Sequence, residues 1–267
     1  MPELLVKPKL PNREKCILDI TPESAGWKYV GFAVFRMEAG DSLQRRSEGR
    51  ETCVVVISGS VSISAGGRTI TGVGGRESAF DDLPPGAVYI PSDTDMSIVA
   101  ETDTELALCT APSEGGHEVR LIKPELISMD ERGEGTNLRR VRNVLPESEA
   151  ADSLLIAEVI TPGGHWSSYP PHKHDTDNLP EESALEETYY HRLNPPQGFV
   201  LQRVYTDDRS IDETMAAYDG DVVMVPRGYH PVGAPHGYDS YYLNVMAGPR
   251  RTWIFNNDPD HEWMIGE

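Results

Sequence analysis

Short apolar runs, each bounded by turn-forming residues, recur along the whole chain. They are rich in β-branched residues, and examples are GFAVFRM (31–37), ETCVVVISGSVSI (51–63) and GAVYIPS (86–92). Apolar residues at helical spacing do not persist over any long stretch. Short apolar segments separated by Gly, Pro, Asp and Ser are typical of an all-β sandwich or barrel.

A second set of runs follows the first in the same order. Three pairs correspond: 51–63 with ETYYHRLNPPQGF (187–199), 86–98 with GDVVMVPRGYHPV (220–232), and 104–112 with SYYLNVMAG (240–248). A constant offset of about 135 residues indicates an internal duplication. We therefore predict two β domains, residues 1–115 and 151–267, joined by a linker over residues 116–150.

Charge and composition narrow the range of partners. The formal net charge of −19 opposes binding to nucleic acid or to an anionic membrane. The three cysteines form no CxxC pair and are expected to be buried thiols. The N-terminal sequence lacks the apolar core of a signal peptide, and no apolar run is long enough to span a membrane. We expect a protein of the reducing cytoplasm.

Histidine and glutamate residues in the second half have the spacing of metal ligands. His172 and His174 are two residues apart, which on a strand places both on one face, about 7 Å apart. Glu187 opens the apolar run ETYYHRL, and His230 follows another such run. Imidazole and carboxylate ligands suit Zn²⁺, Mn²⁺, Fe²⁺ or Ni²⁺. We predict one divalent ion per chain, zinc first among these. No nucleotide-binding glycine motif occurs, so no organic cofactor is expected.

These residues resemble two motifs of the cupin family. His172-x-His174 with Glu187 is similar to the first motif, and the segment from Gly220 to His230 is similar to the second. The gap between His174 and Glu187 is longer than usual, and one residue is missing before His230. Together, HKHD, EETYYHR, QRVYT and VPRGYHPV resemble the 5-deoxy-glucuronate isomerases of inositol catabolism, which are relatives of the uronate ketol-isomerases of the pectin pathway.

The resemblance implies a bicupin, with two tandem double-stranded β-helix (jelly-roll) barrels and the metal in the second. It assigns the ligands as His172, His174, Glu187 and His230. Glu186 is the rival of Glu187, which we prefer because Tyr189 and His191 then share its strand face. In the first half Glu51 stands at the carboxylate position, but no histidine matches His230, and no metal is expected there.

The resemblance also implies an activity, a metal-dependent aldose–ketose isomerisation of 5-deoxy-D-glucuronate to 5-dehydro-2-deoxy-D-gluconate in myo-inositol breakdown. The alternatives are isomerisation of another deoxy-uronate such as 5-keto-4-deoxyuronate, a cupin dioxygenase, and a sugar-binding bicupin without catalysis. The expected partner is a small sugar acid, and a homodimer is a further expectation.

Roles within the site stay open at this stage. The base is His191, Tyr190, a hydroxide on the metal or a carboxylate of the insertion after His174. That insertion is predicted to be a solvated acidic loop, with a lid as the alternative. Substrate contacts are predicted for Gln202, Arg203 and Tyr229. The substrate carboxylate is expected to pair with Arg203, Arg192 or Arg227, whereas Arg140 and Arg142 are expected mainly to form a salt-bridged face.

Overall fold

The computed structural model describes residues 3–265, and nearly all of its regular elements are β-strands, which confirms the all-β prediction. In the described part no helix is long and apolar enough to cross a membrane. The elements of the first half are β1 (Leu5–Val6), β2 (Cys16–Ile20), α1 (Pro22–Ala25), β3 (Gly31–Met37), β4 (Ser42–Arg46), β5 (Arg50–Ala65), β6 (Arg68–Arg76), β7 (Ala87–Ile90), β8 (Asp95–Ala100), β9 (Thr104–Pro112), β10 (Arg120–Ile122) and a 3-10 helix (Pro124–Leu126).

The second half is likewise built from strands, several of them very short. Its elements are β11 (Ser128–Arg132), a 3-10 helix (Gly135–Asn137), β12 (Arg139–Leu145), β13 (Leu155–Thr161), β14 (Trp166–Ser167), β15 (His172–Lys173), β16 (Asp175–Asn178), β17 (Glu182–Ala184), β18 (Glu186–Asn194), β19 (Phe199–Tyr205), β20 (Asp212–Tyr218), β21 (Val222–Val225), β22 (Val232–Gly233), β23 (Asp239–Ala247), β24 (Asn256–Asn257) and a 3-10 helix (Glu262–Ile265).

The chain forms two compact units whose bounds correct the predicted division. The N-terminal unit comprises Pro8–Ser128 and Val144–Leu155, and the C-terminal unit comprises the remaining described residues. The segment 116–150 is not a linker, because β10 pairs with β7 while β11 and β12 extend a sheet of the C-terminal unit. The first strand, β1, also joins the C-terminal unit, through β21. The outer limits of the predicted domains, residues 1 and 267, lie outside the described residues.

The C-terminal unit packs two sheets against each other. One has the order β1-β21-β18-β23-β13-β12-β11, and the other has the order β14-β22-β19-β20. Their core joins Tyr189 and Val223 of the first sheet to Val200, Val204 and Val232 of the second. Side chains alternate across each strand, so every second residue of β18 points into this core.

The N-terminal unit has the same arrangement of strands. Its order β10-β7-β5-β9-β3-β2 corresponds strand by strand to β1-β21-β18-β23-β13-β12. The long strand β5 pairs first with β7 and β9 and then with β6 and β8, with register shifts between residues 56 and 63. Both of its halves contribute to one core, through Val54, Val56, Val61 and Ile63. The shared order agrees with an internal duplication.

The strand register corrects the predicted position of Glu51. Thr52 pairs with Ile90, and Glu187 pairs with Val225, where Ile90 and Val225 each directly precede the proline of their motif. Thr52 is therefore the structural counterpart of Glu187. Because neighbouring residues of a strand point to opposite faces, Glu51 lies on the other side of the sheet from the barrel core.

Glu51 instead holds together part of the N-terminal unit. Its carboxylate is fully buried and accepts hydrogen bonds from the Tyr89 hydroxyl (2.6 Å) and from the backbone N–H groups of Asp152 (2.8 Å), Ser153 (2.7 Å) and Leu154 (2.6 Å). Charge-assisted hydrogen bonds to buried N–H groups are among the stronger ones in proteins.

We expect Glu51→Gln to lower the free energy of unfolding by about 3 kcal/mol, because an amide NH₂ would face N–H donors that lose their acceptor. Urea unfolding followed by tryptophan fluorescence measures the change. The control is Glu101→Gln, since the exposed Glu101 carboxylate also accepts several hydrogen bonds, but in contact with water. Equal losses for the two variants would contradict the structural role of Glu51.

Candidate metal centre

Three histidines from two separate parts of the C-terminal unit converge. His172 lies in β15, His174 follows that strand directly, and His230 follows β21 after a Pro-Arg-Gly-Tyr turn. All three are buried, and one nitrogen of each lies within 4.8 Å of one nitrogen of each of the others. The ring centroid of His230 is 5.0 Å from that of His172 and 5.1 Å from that of His174.

The Glu187 carboxylate completes this cluster. Its Oε1 contacts His174 Nε2 and lies 3.8 Å from His230 Nε2. Its Oε2 accepts a hydrogen bond of 2.8 Å from the Asn244 side-chain amide on the neighbouring strand β23, which fixes the orientation of the carboxylate. Glu186, the rival ligand, precedes Glu187 on β18 and therefore points to the opposite face.

The donor atoms of the cluster fit a divalent metal ion. His174 Nε2, His230 Nε2 and Glu187 Oε1 are buried and have no hydrogen-bond partner among residues 3–265. His230 Nδ1 donates to the Gly228 carbonyl (2.8 Å) and His172 Nδ1 to that of Pro170 (3.3 Å), which leaves the lone pair of each Nε2 available. Uncompensated buried polar atoms are costly, and a shared cation would satisfy them.

Burial also keeps two of the imidazoles, those of His172 and His230, in the state that a ligand needs. Desolvation, together with the neighbouring rings of His230 and His174, lowers the pKa of His172 well below its ordinary value. Desolvation likewise lowers the pKa of His230, although the Glu187 charge opposes the shift. Neutral imidazole is the metal-binding form, so the donors are in place at neutral pH.

The insertion between His174 and Glu187 is a hairpin rather than an irregular loop, although its residues 176–181 are exposed to solvent, as predicted. β16 and β17 pair, and the Leu185 N–H donates to the His174 carbonyl (2.9 Å), so the hairpin is closed at its base. Glu182 is buried and accepts from the backbone N–H of Asp175 (2.7 Å) and from Lys173 Nζ (3.2 Å). The long gap in sequence is therefore a short gap in space, which brings Glu187 to the histidines.

The turn before His230 depends on glycine. Gly228 has a φ of +93°, and a Cβ there would lie 2.4 Å from the Tyr205 carbonyl oxygen. Its N–H donates to the Asp175 carboxylate (2.9 Å), which links this turn to the hairpin beside His174. The two halves of the ligand set are thus held together by the backbone around them.

A cavity of about 1020 Å³ in the C-terminal unit has His172 in its wall. The Ser168 hydroxyl lies 3.3 Å from the Tyr189 hydroxyl and 3.4 Å from the Tyr242 hydroxyl, and all three residues line the cavity. Burial raises the pKa of both tyrosines, so both are protonated at neutral pH. Arg139 lies on the same wall, and Trp253, Phe255 and Trp263 are its large apolar members.

His191 and Gln202 lie together, but behind the cavity wall. Both side chains are fully buried, and His191 Nε2 is 2.9 Å from Gln202 Oε1. Burial lowers the pKa of His191 to about 4. Neither residue lines the cavity, and Tyr190 points away from it, on the face of β18 opposite Glu187. The catalytic roles of His191 and Tyr190 and the substrate contact of Gln202 stay predictions.

The remaining predicted substrate residues also lie away from the cavity. Arg203 forms a double hydrogen bond with the Asp212 carboxylate (2.8 and 2.9 Å), and the Tyr229 hydroxyl donates to Asp207 (2.9 Å). Arg192 pairs with Asp219, and the exposed Arg227 donates to Ser210. None of these four residues lines the cavity.

Sequence reasoning missed Arg139, Tyr242 and Ser168 as cavity residues. Arg139 is the first residue of β12, within the segment that we predicted to be a linker. Tyr242 was one of several tyrosines in apolar runs. The register of β18 with β23, which sets His191 opposite Tyr242, was the missing information.

Comparisons with known proteins agree with one another over the full length of the chain. The KduI/IolB family model matches residues 4–264. The 5-deoxy-glucuronate isomerase of Geobacillus kaustophilus is 53% identical over 265 residues, which are 99% of this chain and 96% of that protein. The protein of the same name from Bacillus subtilis (strain 168) is 50% identical over 269 residues, 99% of each chain.

Solved structures place the fold in the bicupin class. An IolB-like protein from Salmonella typhimurium LT2 superposes with a TM-score of 0.96 at 50% identity, covering 99% of this chain and all of that chain. A variant of Bacillus subtilis oxalate decarboxylase superposes with a TM-score of 0.64 at 12% identity, covering 96% of this chain and 80% of that one. The second likeness concerns the fold alone, and it confirms the bicupin prediction.

Proposed function

The chain belongs to the KduI/IolB family, and from this premise we propose that it is an isomerase that converts 5-deoxy-D-glucuronate to 5-dehydro-2-deoxy-D-gluconate. Relatives of half or greater identity carry the name of this activity. The observation that carries the proposal is the buried cluster of His172, His174, Glu187 and His230. The last three carry buried atoms without a hydrogen-bond partner, and His172 lines a cavity with tyrosine hydroxyls and an arginine.

The proposed reaction exchanges a carbonyl and a hydroxyl on adjacent carbons. A proton leaves C2, a proton reaches C1, and negative charge develops on both oxygens in between. A divalent ion held by the three histidines and Glu187 would attract that charge as a Lewis acid. The protein must supply the groups that move the protons, the group that recognises the substrate carboxylate, and walls that exclude water.

We assign proton transfer to the hydroxyls of Tyr189, Ser168 and Tyr242, because they adjoin one another on the cavity wall. The ring centroid of Tyr189 is 5.6 Å from that of the ligand His230. Protonated tyrosines next to the ligands can donate a proton to O1 as it becomes a hydroxyl and receive one from the C2 hydroxyl as that becomes the carbonyl. Because these hydroxyls are protonated, they do not take the proton that leaves C2. The base that takes the C2 proton stays a prediction among the candidates from the sequence, which include His191 and Tyr190.

An anaerobic assay tests the function. Metal-loaded protein is incubated with 5-deoxy-D-glucuronate, and ¹H NMR follows loss of the anomeric signals. Parallel samples contain 5-keto-4-deoxyuronate, or protein stripped with a chelator. We expect conversion of the first substrate to a 2-ketose without oxygen, and no conversion by stripped protein until a divalent ion is restored.

Other outcomes of this assay would support one of the alternative functions. Turnover of 5-keto-4-deoxyuronate alone would replace the substrate. Turnover of either sugar acid only in air, with oxygen uptake, would indicate a dioxygenase. Absence of turnover under both atmospheres, with metal bound, would leave a sugar-binding bicupin. Zinc as the native ion, a homodimer and a cytoplasmic location stay predictions.

A further inference from the structure

Arg139 places a positive charge on the wall of the cavity. It is the first residue of β12, and the cavity wall that it shares includes the ligand His172 and the hydroxyl-bearing Tyr189 and Tyr242. The guanidinium is largely withdrawn from water, and burial lowers its pKa. Because a guanidinium remains charged in proteins, a desolvated cation faces the space in which the substrate would lie.

Within the described part of the chain, no carboxylate neutralises this cation. Among residues 3–265 Arg139 has no ion pair, and its guanidinium Nη1 donates only to the Asn137 carbonyl, at 3.1 Å. The other arginine of the wall, Arg132, has Asp130 within 3.9 Å. Even the half-exposed Arg203 is paired with an aspartate.

The absence of a counter-ion is unusual in so acidic a chain. The chain has 43 Asp and Glu residues and 24 Lys and Arg residues. With carboxylates in such excess, an arginine without one beside it stands out. A desolvated charge without a partner costs free energy. A cation kept in this state inside a cavity is typical of a site where a ligand supplies the anion.

The backbone before β12 holds the guanidinium in place. Gly133 has a φ of +81°, and a Cβ at this position would lie 2.7 Å from Arg139 Nη1 and 2.3 Å from the Asn137 carbonyl oxygen. The turn of residues 133–137 thus closes tightly around the arginine. A fixed guanidinium loses little entropy on binding and presents a planar pair of donors to a carboxylate.

We propose that Arg139 binds the carboxylate of the sugar acid and thereby determines specificity for uronates over neutral sugars, an inference that rests on the proposed function. The carbonyl end of the substrate then lies toward His172 and the tyrosine hydroxyls. Arg203, Arg192 and Arg227, the arginines predicted for this role, interact with Asp212, Asp219 and Ser210 away from the cavity.

Binding of a sugar acid that cannot isomerise tests Arg139 separately from the reaction. Isothermal titration calorimetry compares D-gluconate with the neutral D-glucitol on metal-loaded wild type, Arg139→Gln and Arg139→Lys. We expect Arg139→Gln to weaken D-gluconate binding about 10- to 100-fold, as for the loss of a charged hydrogen-bonded pair, and to leave D-glucitol binding unchanged. The affinity of Arg139→Lys for D-gluconate is expected to lie between those of the wild type and Arg139→Gln. The control is Arg250→Gln, which removes an exposed positive charge in the same unit.

Turnover supplies the second readout. For 5-deoxy-D-glucuronate, Arg139→Gln is expected to raise KM by a similar factor, with metal content unchanged, while its rate on neutral 5-deoxy-D-glucose stays at the wild-type level. Equal D-gluconate affinity in wild type and Arg139→Gln, or no D-gluconate binding by wild type, overturns the proposal whatever the turnover. A different pair of results separates the two proposals. If Arg139→Gln loses D-gluconate binding but the wild type does not turn over the uronate, carboxylate binding by Arg139 is upheld and the proposed reaction is overturned.

Discussion

His174→Ala is expected to leave the purified protein without its divalent ion and to lower kcat by at least about 10³-fold. The imidazole of His174 lies within contact distance of the Glu187 carboxylate, so its removal takes away one donor and leaves an unpaired buried carboxylate. Loss of several kcal/mol of electrostatic stabilisation of the developing oxyanion corresponds to a rate loss of this order, at about 1.4 kcal/mol per factor of ten.

Metal content by inductively coupled plasma mass spectrometry and the rate of isomerisation should fall together. The control is His236→Ala, because His236 is an exposed loop histidine of the same unit. A His174→Ala protein that keeps a full equivalent of metal would show that His174 is not a ligand. A protein that loses the metal but keeps its rate would show that the reaction does not need the ion.

The sequence was sufficient to predict the fold and to predict which residues come together at the candidate metal centre. Both depend on local patterns: apolar runs between turn formers, a repeated order of runs, two histidines on one strand face, and a glycine-containing turn before a third histidine. The structure brings His172, His174, Glu187 and His230 together because β15, β18 and the end of β21 meet in one unit.

The sequence could not supply the strand register. In the sequence Glu51 aligns with Glu187 because each precedes a threonine, but strand pairing puts Thr52 opposite the residue before the proline. A slip of one residue reverses the face of every side chain. The same limit applies to Tyr190, which differs from Tyr189 only in the face that it occupies.

Contacts between segments far apart in the chain also could not be predicted from the sequence. Arg139 reaches the cavity because β12 adds to the outer part of a sheet whose centre is formed more than forty residues later. The sequence favours Arg203 as a substrate residue, but its guanidinium pairs with Asp212 on the neighbouring strand β20. Nothing in the spacing of these residues indicates which arginine has a carboxylate beside it.

Tyr242→Phe is expected to lower kcat about 10²- to 10³-fold with unchanged metal content, as for the loss of one proton-transferring group. The Tyr242 hydroxyl lies 3.4 Å from the Ser168 hydroxyl on the cavity wall. Burial raises the pKa of Tyr242, so this side chain enters the reaction protonated. The solvent isotope effect, which is the ratio of kcat in H₂O to kcat in D₂O, reports the transfer of oxygen-bound protons and should change in this variant. The control is Tyr218→Phe, since Tyr218 is about half exposed on β20.

The double variant Tyr189→Phe/Tyr242→Phe tests whether the two tyrosines transfer protons together, through the Ser168 hydroxyl, or independently of each other. If both hydroxyls act through Ser168, the loss in the double variant should be little greater than in the more impaired single variant, because groups that act as a unit are not additive. Multiplicative losses would mean that each tyrosine serves a different proton. A kcat of Tyr242→Phe within twofold of wild type, beside a large loss in Tyr190→Phe, would contradict proton transfer by Tyr242 and favour Tyr190, one of the candidates that the sequence left open.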